Sequence, residues 1–178
     1  FKRTWNRLAK ENGLEGFWFF GLCYGMENGS KVVEKGFDAA CVDYMQVQNI
    51  ITNPVEDFFW RVVRKFSCFP KYMTYNKYVR DITKHFQAKE KFVPCIGPNF
   101  DHSPRSRNRG VILFGSTPQK WLNLCRSLFA KVSFRKHEEN IVVIKSWNEW
   151  GEGNYLEPDL QYGKRYIEAT RKALDECK

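Results

Sequence analysis

Four short apolar runs stand out in a chain that otherwise keeps a helical rhythm. They are Gly16-Phe17-Trp18-Phe19-Phe20-Gly21-Leu22, Phe37-Asp38-Ala39-Ala40-Cys41-Val42, Phe92-Val93-Pro94-Cys95-Ile96-Gly97 and Ile141-Val142-Val143-Ile144. Each has the length of a strand, and the nearly unbroken apolarity of the first predicts burial on both faces. Phe1, Trp5, Leu8 and Ala9 recur at helical spacing until Gly13. Residues 58–66 and 76–86 carry two further helical patterns, separated by Cys68-Phe69-Pro70. Ser116-Thr117-Pro118-Gln119 starts a helix with Pro in its first turn. Leu122, Cys125, Leu128, Phe129 and Val132 form its stripe. A last helix over 162–176 places Tyr162, Tyr166, Ala169 and Ala173 on one face. Asn28-Gly29-Ser30 reads as part of a polar loop, and residues 98–110 as an Arg-rich one. Trp5, Trp60 and Trp121 fall in helical patterns, which assigns them to packing.

Buried strands alternating with amphipathic helices imply a parallel α/β sheet. A dinucleotide-binding fold needs a Gly-rich phosphate turn after a strand, and none follows these runs. A partial TIM (β/α)8 barrel of four β/α units fits better, as one domain over residues 1–178. Four such units take about 125 residues before insertions, since a whole barrel takes about 250. The first and last strands then expect partners from the missing half-barrel.

Composition narrows the function classes. The net charge of +9 comes from 29 basic and 20 acidic residues spread along the chain, with no nucleic-acid motif beside them. This reads as a solvated basic surface, not a nucleic-acid binder. No apolar run approaches the roughly 18 residues of a membrane span. None of the six cysteines forms a CxxC pair. Free buried thiols in a reducing, cytoplasmic compartment are therefore expected, with no structural zinc and no other cofactor. The chain begins with Phe, as a fragment or processed product would.

The richest chemistry follows the fourth run: Asn148-Glu149-Trp150-Gly151-Glu152-Gly153-Asn154-Tyr155-Leu156-Glu157-Pro158-Asp159. Carboxylates, aromatics and glycines crowd the point where a strand gives way to a helix, the rim on which α/β proteins bind ligands. Glycoside cleavage commonly uses two carboxyl groups, one donating a proton and one acting as base or nucleophile. Glu149 and Glu152 are the candidate pair, with Trp147 and Trp150 as a stacking wall. The same acids could instead cap the following helix. A second cluster, Gly97-Pro98-Asn99-Phe100-Asp101-His102-Ser103-Pro104-Arg105, continues to Arg107 and Arg109 on the same rim. Asp101 and Arg105 could pair with each other or bind sugar hydroxyls, and the three arginines could hold an anionic group. A lone loop histidine such as His102 is more often incidental than a proton carrier. Tyr24, Glu27, Asn28, Asp43, Tyr44 and Gln46 share this rim by position alone.

The run Asn148-Glu149-Trp150-x-Glu152-Gly153, with Leu156-Glu157-Pro158-Asp159, resembles the WbsX family of bacterial polysaccharide loci. That family is related to glycoside hydrolase family ninety-nine, the endo-α-mannosidases. The loop Pro98-Asn99-Phe100-Asp101-His102-Ser103-Pro104-Arg105, with Gly110 and Ser116-Thr117-Pro118, is similar to a second motif of the clan. The resemblance spans residues 1–174 and is thin over 44–90. It implies the last four β/α units of a (β/α)8 barrel acting on an oligo- or polysaccharide. It further implies that Glu149 deprotonates a sugar 2-hydroxyl, which attacks the anomeric carbon, while Glu152 serves as acid and then base, with net retention. Asn148, Trp150, Tyr155, Asp101 and Arg105 would shape the sugar site. Gly151 stands where the hydrolases often have His, and His102 where the WbsX proteins usually have Asn. The family name implies glycosyl transfer, yet the chain has no Asp-x-Asp of the kind many nucleotide-sugar transferases carry. An inactive carbohydrate-binding fragment is the alternative from another class.

Overall fold

A computed structural model describes residues 1–43, 45, 54–67, 69–86, 91–133 and 139–177, excepting the side chains of 26, 27, 54, 57 and 64. Tyr44 and Gln46, and the side chain of Glu27, lie outside what is described. In chain order the elements are α1 (Lys2–Glu11), β1 (Phe20–Cys23), α2 (Met26–Glu34), β2 (Ala39–Asp43), α3 (Pro54–Phe66), β3 (Lys71–Thr74), α4 (Tyr75–His85) and β4 (Phe92–Ile96). There follow β5 (Phe100–Asp101), α5 (Ser103–Ser106), β6 (Val111–Phe114), α6 (Pro118–Val132), β7 (Val143–Ile144), β8 (Asn148–Glu149), β9 (Asn154–Tyr155) and α7 (Arg165–Asp175).

The four expected strands form one sheet in the order β1-β2-β4-β7, with every neighbour parallel. Helices occupy each crossover, so the chain is a partial (β/α)8 barrel of four successive β/α units. Side chains alternate across this sheet. On one face Ala40, Val42, Phe92 and Ile96 share the main core with Tyr75, Tyr78, Trp121, Leu124 and Leu128 from α4 and α6 and Tyr166 from α7. On the other, Ala39, Cys41, Val93 and Cys95 form a smaller cluster with Ile141 and Val143 against it. Asp43 and Lys145 continue that second face to the strands' C-terminal ends.

Several expectations are corrected. The first strand is not buried on both faces: Phe20 is 44% and Leu22 60% exposed, because β1 is a sheet edge. The fourth run pairs only through Val143 and Ile144, both half-buried. Residues 26–34 form a helix, not a loop. Gly29 serves packing there, since a Cβ would lie 2.3 Å from a Phe92 ring carbon. A second sheet, β3-β6-β5, was not foreseen. Trp121 is fully buried and donates to Thr170 Oγ1 at 2.8 Å, whereas Trp5 is 46% exposed. Cys23, Cys41, Cys95 and Cys125 are buried free thiols. Among the described residues no helix is long and apolar enough to cross a membrane.

Candidate active site

The loop after β7 is held by its own backbone. Leu156 and Glu157 donate from their N–H groups to the Trp147 carbonyl, and Ser146 Oγ donates to the Asn154 carbonyl at 2.8 Å. Antiparallel β8 and β9 pair Asn148 with Tyr155 and Glu149 with Asn154. A 3-10 turn, Trp150–Glu152, joins them and ends on Gly153 in the left-handed region at φ 56°. A side chain there would cost about 1 kcal/mol or more. A Cβ at Gly153 would also sit 3.6 Å from Asp101 Cβ, so this turn rests against the second loop.

The four acids of the loop divide by what they touch. Glu157 accepts from the Trp150 indole N–H at 2.6 Å. Asp159 accepts from the Tyr162 N–H at 2.5 Å and closes the turn before α7. Both are therefore structural. Glu149 and Glu152 remain, and neither caps α7, which begins at Arg165 with Lys164 at its N-cap. That disposes of the helix-cap alternative. Glu152 is 7% exposed, with Oε1 3.1 Å from Arg105 Nε and 3.6 Å from His102 Nε2. Glu149 is half-buried, and its Oε1 lies 3.1 Å from where a Cβ on Gly151 would stand. Asn148 is exposed. Trp150, 49% exposed, stacks on Tyr155 with ring centroids 3.7 Å apart and planes 16° from parallel. Trp147 is 53% exposed. Burial and the nearby Asp159 hold the Tyr155 hydroxyl above the ordinary tyrosine range.

The second loop is anchored by the unforeseen sheet. Phe100 pairs with Leu113 and Asp101 with Ile112, so β6 fixes where the loop starts. Gly110 lets it close, because a Cβ would come within 2.9 Å of the backbone of His102 and Ser103. Asp101 and Arg105 do not pair with each other. Asp101 Oδ1 accepts from Ser103 N at 2.9 Å and Ser103 Oγ at 2.6 Å, while Arg105 reaches across to Glu152. His102 stacks on Phe100 with centroids 5.6 Å apart and faces Glu152, so it belongs to the site. Arg107 and Arg109 are exposed in a 3-10 turn. Further support comes from Ser116, whose Oγ donates to the Pro98 carbonyl at 2.5 Å and meets Tyr166 Oη at 2.8 Å.

Two residues of this rim escaped sequence reasoning or were placed by position alone. Asp43 is 1% exposed, accepts from Met45 N at 2.7 Å and faces Lys145 Nζ at 3.6 Å. Lys145 Nζ also lies 5.9 Å from the Phe100 ring centroid. Only its place at the end of a strand could have flagged Lys145. Tyr24 is partly exposed at the end of β1, and Asn28 Nδ2 donates to its carbonyl from α2; neither is brought to the glutamates by these contacts. Among the described residues no cluster of three or more His, Cys, Asp or Glu side chains could hold a metal ion.

Comparison with known proteins gives three findings. The sequence model of the family described as glycosyltransferase WbsX matches residues 1–170. Proteins called uncharacterized protein WxcX, from two strains of Xanthomonas campestris pathovar campestris, are 28% identical over 172 residues. That stretch is 96% of this chain and 24% of theirs, so the chain spans about a quarter of these relatives. A solved structure described as a glycoside hydrolase-like protein superposes with a TM-score of 0.55 at 15% identity. It covers 97% of this chain, which covers 48% of it, and it supports the fold alone.

Proposed function

Because the chain belongs to the glycosyltransferase WbsX family, we propose that it is part of a carbohydrate-active enzyme that cleaves or transfers at a glycosidic bond of a polysaccharide. The observation that carries this reading is the sorting of the loop acids. Glu157 and Asp159 are spent on structure, while Glu149 and Glu152 stand three positions apart on the rim beside an aromatic stack. In this reading Glu149 takes the proton of a sugar hydroxyl, which then attacks the anomeric carbon. Glu152 gives a proton to the departing oxygen and later recovers it from water or from an acceptor sugar. The hydroxyl oxygen gains the bond that the leaving oxygen loses; in the second displacement the water or acceptor oxygen takes that bond in turn, and Glu149 returns its proton to the released hydroxyl oxygen, so anomeric configuration is retained overall. Trp150 and Tyr155 offer an apolar platform to a sugar ring. Asn148, Asp101 and Arg105 line the same loops, with Arg105 engaged to Glu152.

Acceptor choice separates hydrolysis from transfer. The family description, a glycosyltransferase, supports transfer as the second reading, and we propose a surface polysaccharide as its acceptor, with the same two carboxylates. The test is turnover by the full-length protein on a panel of bacterial and mannose-containing polysaccharides. Glu152→Gln should lower turnover by about 10²- to 10⁴-fold, the usual contribution of a general acid–base group, while glycan binding persists. Turnover that survives this change would remove Glu152 from the chemistry.

A further inference from the structure

Asn154 is fully buried, and both its Nδ2 and Oδ1 lack a hydrogen-bond partner among the described residues. Buried carboxamides are rarely left in this state, because each unpaired donor and acceptor gives up its hydration for nothing. A leucine would fill the same space without that penalty. The Asn154 backbone carbonyl already accepts from Ser146 Oγ, and the unpaired atoms are those of the side chain.

Its cross-strand neighbour is Glu149. Directly opposed residues in an antiparallel pair point their side chains to the same face, with Cβ atoms about 5 Å apart. Asparagine and glutamate side chains easily bridge that gap. Asn148, Tyr155 and the stacked Trp150 belong to the opposite face. An ionised carboxylate only accepts hydrogen bonds, so Nδ2 is the atom that can donate to it. Glu149 instead lies over Gly151, within 3.1 Å of where a Cβ would be. The missing side chain at 151 thus gives Glu149 one seat, and the Asn154 carboxamide offers it a second.

We propose that Asn154 is a positioning residue for Glu149: in the working enzyme Glu149 leaves Gly151, and its carboxylate accepts a hydrogen bond from Asn154 Nδ2. This rests on the reading of Glu149 as the group that deprotonates the sugar hydroxyl. Glu149 then has one fixed orientation when substrate binds, and Asn154 itself never touches the sugar. The lack of a Cβ at Gly151 is what leaves room for the first of the two seats.

Two measurements on the full-length protein decide this. The first needs no activity: a crystal structure should show Asn154 Nδ2 within about 2.7–3.2 Å of a Glu149 carboxylate oxygen. Finding the Asn154 carboxamide bonded to some other protein group, with Glu149 still over Gly151, overturns the proposal. The second is kinetic. Asn154→Leu fills the same space and removes the donor, and should lower kcat by about 10- to 100-fold with KM changed less than about threefold. Asn154→Ser, which restores a small donor, should recover part of that loss. A change confined to KM, or an equal loss in both variants, contradicts positioning. If the crystal contact is present but wild-type protein turns over no glycan, the functional reading fails while the contact stands.

Discussion

Replacing Arg105 by glutamine tests what places Glu152. The Nε–Oε1 separation of 3.1 Å corresponds to a Coulomb attraction of about 5 kcal/mol at an effective dielectric constant of about 20. The Arg105 side chain is 65% exposed, however, so solvent screening reduces its net worth to about 1 kcal/mol. Glu152 is the stricter partner: its side chain is 9% exposed, and removing Arg105 leaves it, among the described residues, His102 at 3.6 Å on the same oxygen. A poorly compensated buried acceptor adds about another 1 kcal/mol. Arg105→Gln should therefore destabilise the protein by about 1–2 kcal/mol, seen as a melting temperature lower by a few degrees. Glycan turnover should fall further than stability does, by about 10-fold or more, because a displaced acid–base group loses its alignment. Arg105→Lys, which keeps the charge without the planar fork, should fall between. Thermal melts and steady-state kinetics on the full-length variants measure both effects. Wild-type melting together with wild-type turnover in Arg105→Gln would show that the pair does not place Glu152.

Gly97→Ala should cost about 2–3 kcal/mol in urea unfolding, because its Cβ would lie 2.4 Å from the Lys145 carbonyl and 2.6 Å from Met45 Sδ, forcing β4 and β7 apart; an unchanged midpoint would contradict that packing. Tyr166 is held protonated by burial, its pKa pushed up to about 12, with the Ser116 hydrogen bond opposing. The unfolded value is about 10. A pKa raised in the folded state means a contribution fully present below pH about 10 and lost as pH rises from about 10 through about 12. Melting temperature should fall across that window as phenolate absorbance grows, and a flat profile would refute the assignment.

The sheet was legible because its strands are short apolar runs between helical patterns, and that contrast survives any detail of packing. Their limits were less legible. Phe20 and Leu22 look like core residues and lie on the face of the smaller cluster, opposite Ala39 and Cys41, yet stay exposed on the edge strand, since exposure depends on whether a neighbour strand exists and not on the residue. Helix α2 was hidden by Gly29, whose lack of a side chain serves the Phe92 ring, a reason that exists only in three dimensions. Strand β6 is as apolar as the recognised strands, but it follows three arginines whose polarity set the reading of that segment. In the candidate site, residue type and position nominated Glu149 and Glu152 beside a helix-cap alternative, and their roles came from the family resemblance. Their partners were not legible: Arg105 passes over Asp101 to reach Glu152, and His102, set aside as incidental, faces the same carboxylate. Asn154 carries no signal in the sequence at all; its burial and its pairing with Glu149 are facts of the hairpin.

Catalysis by Glu149 and Glu152 at a glycosidic bond is what we propose. Its most direct test is one assay on the full-length protein, offered polysaccharide on one side and sugar nucleotides on the other, with Glu149→Gln and Glu152→Gln in parallel. New reducing ends or transferred glycan should form from the polysaccharide and be lost in both variants, with the first-formed product retaining its anomeric configuration. Release of nucleoside diphosphate from a sugar nucleotide, undiminished in both variants, would contradict it.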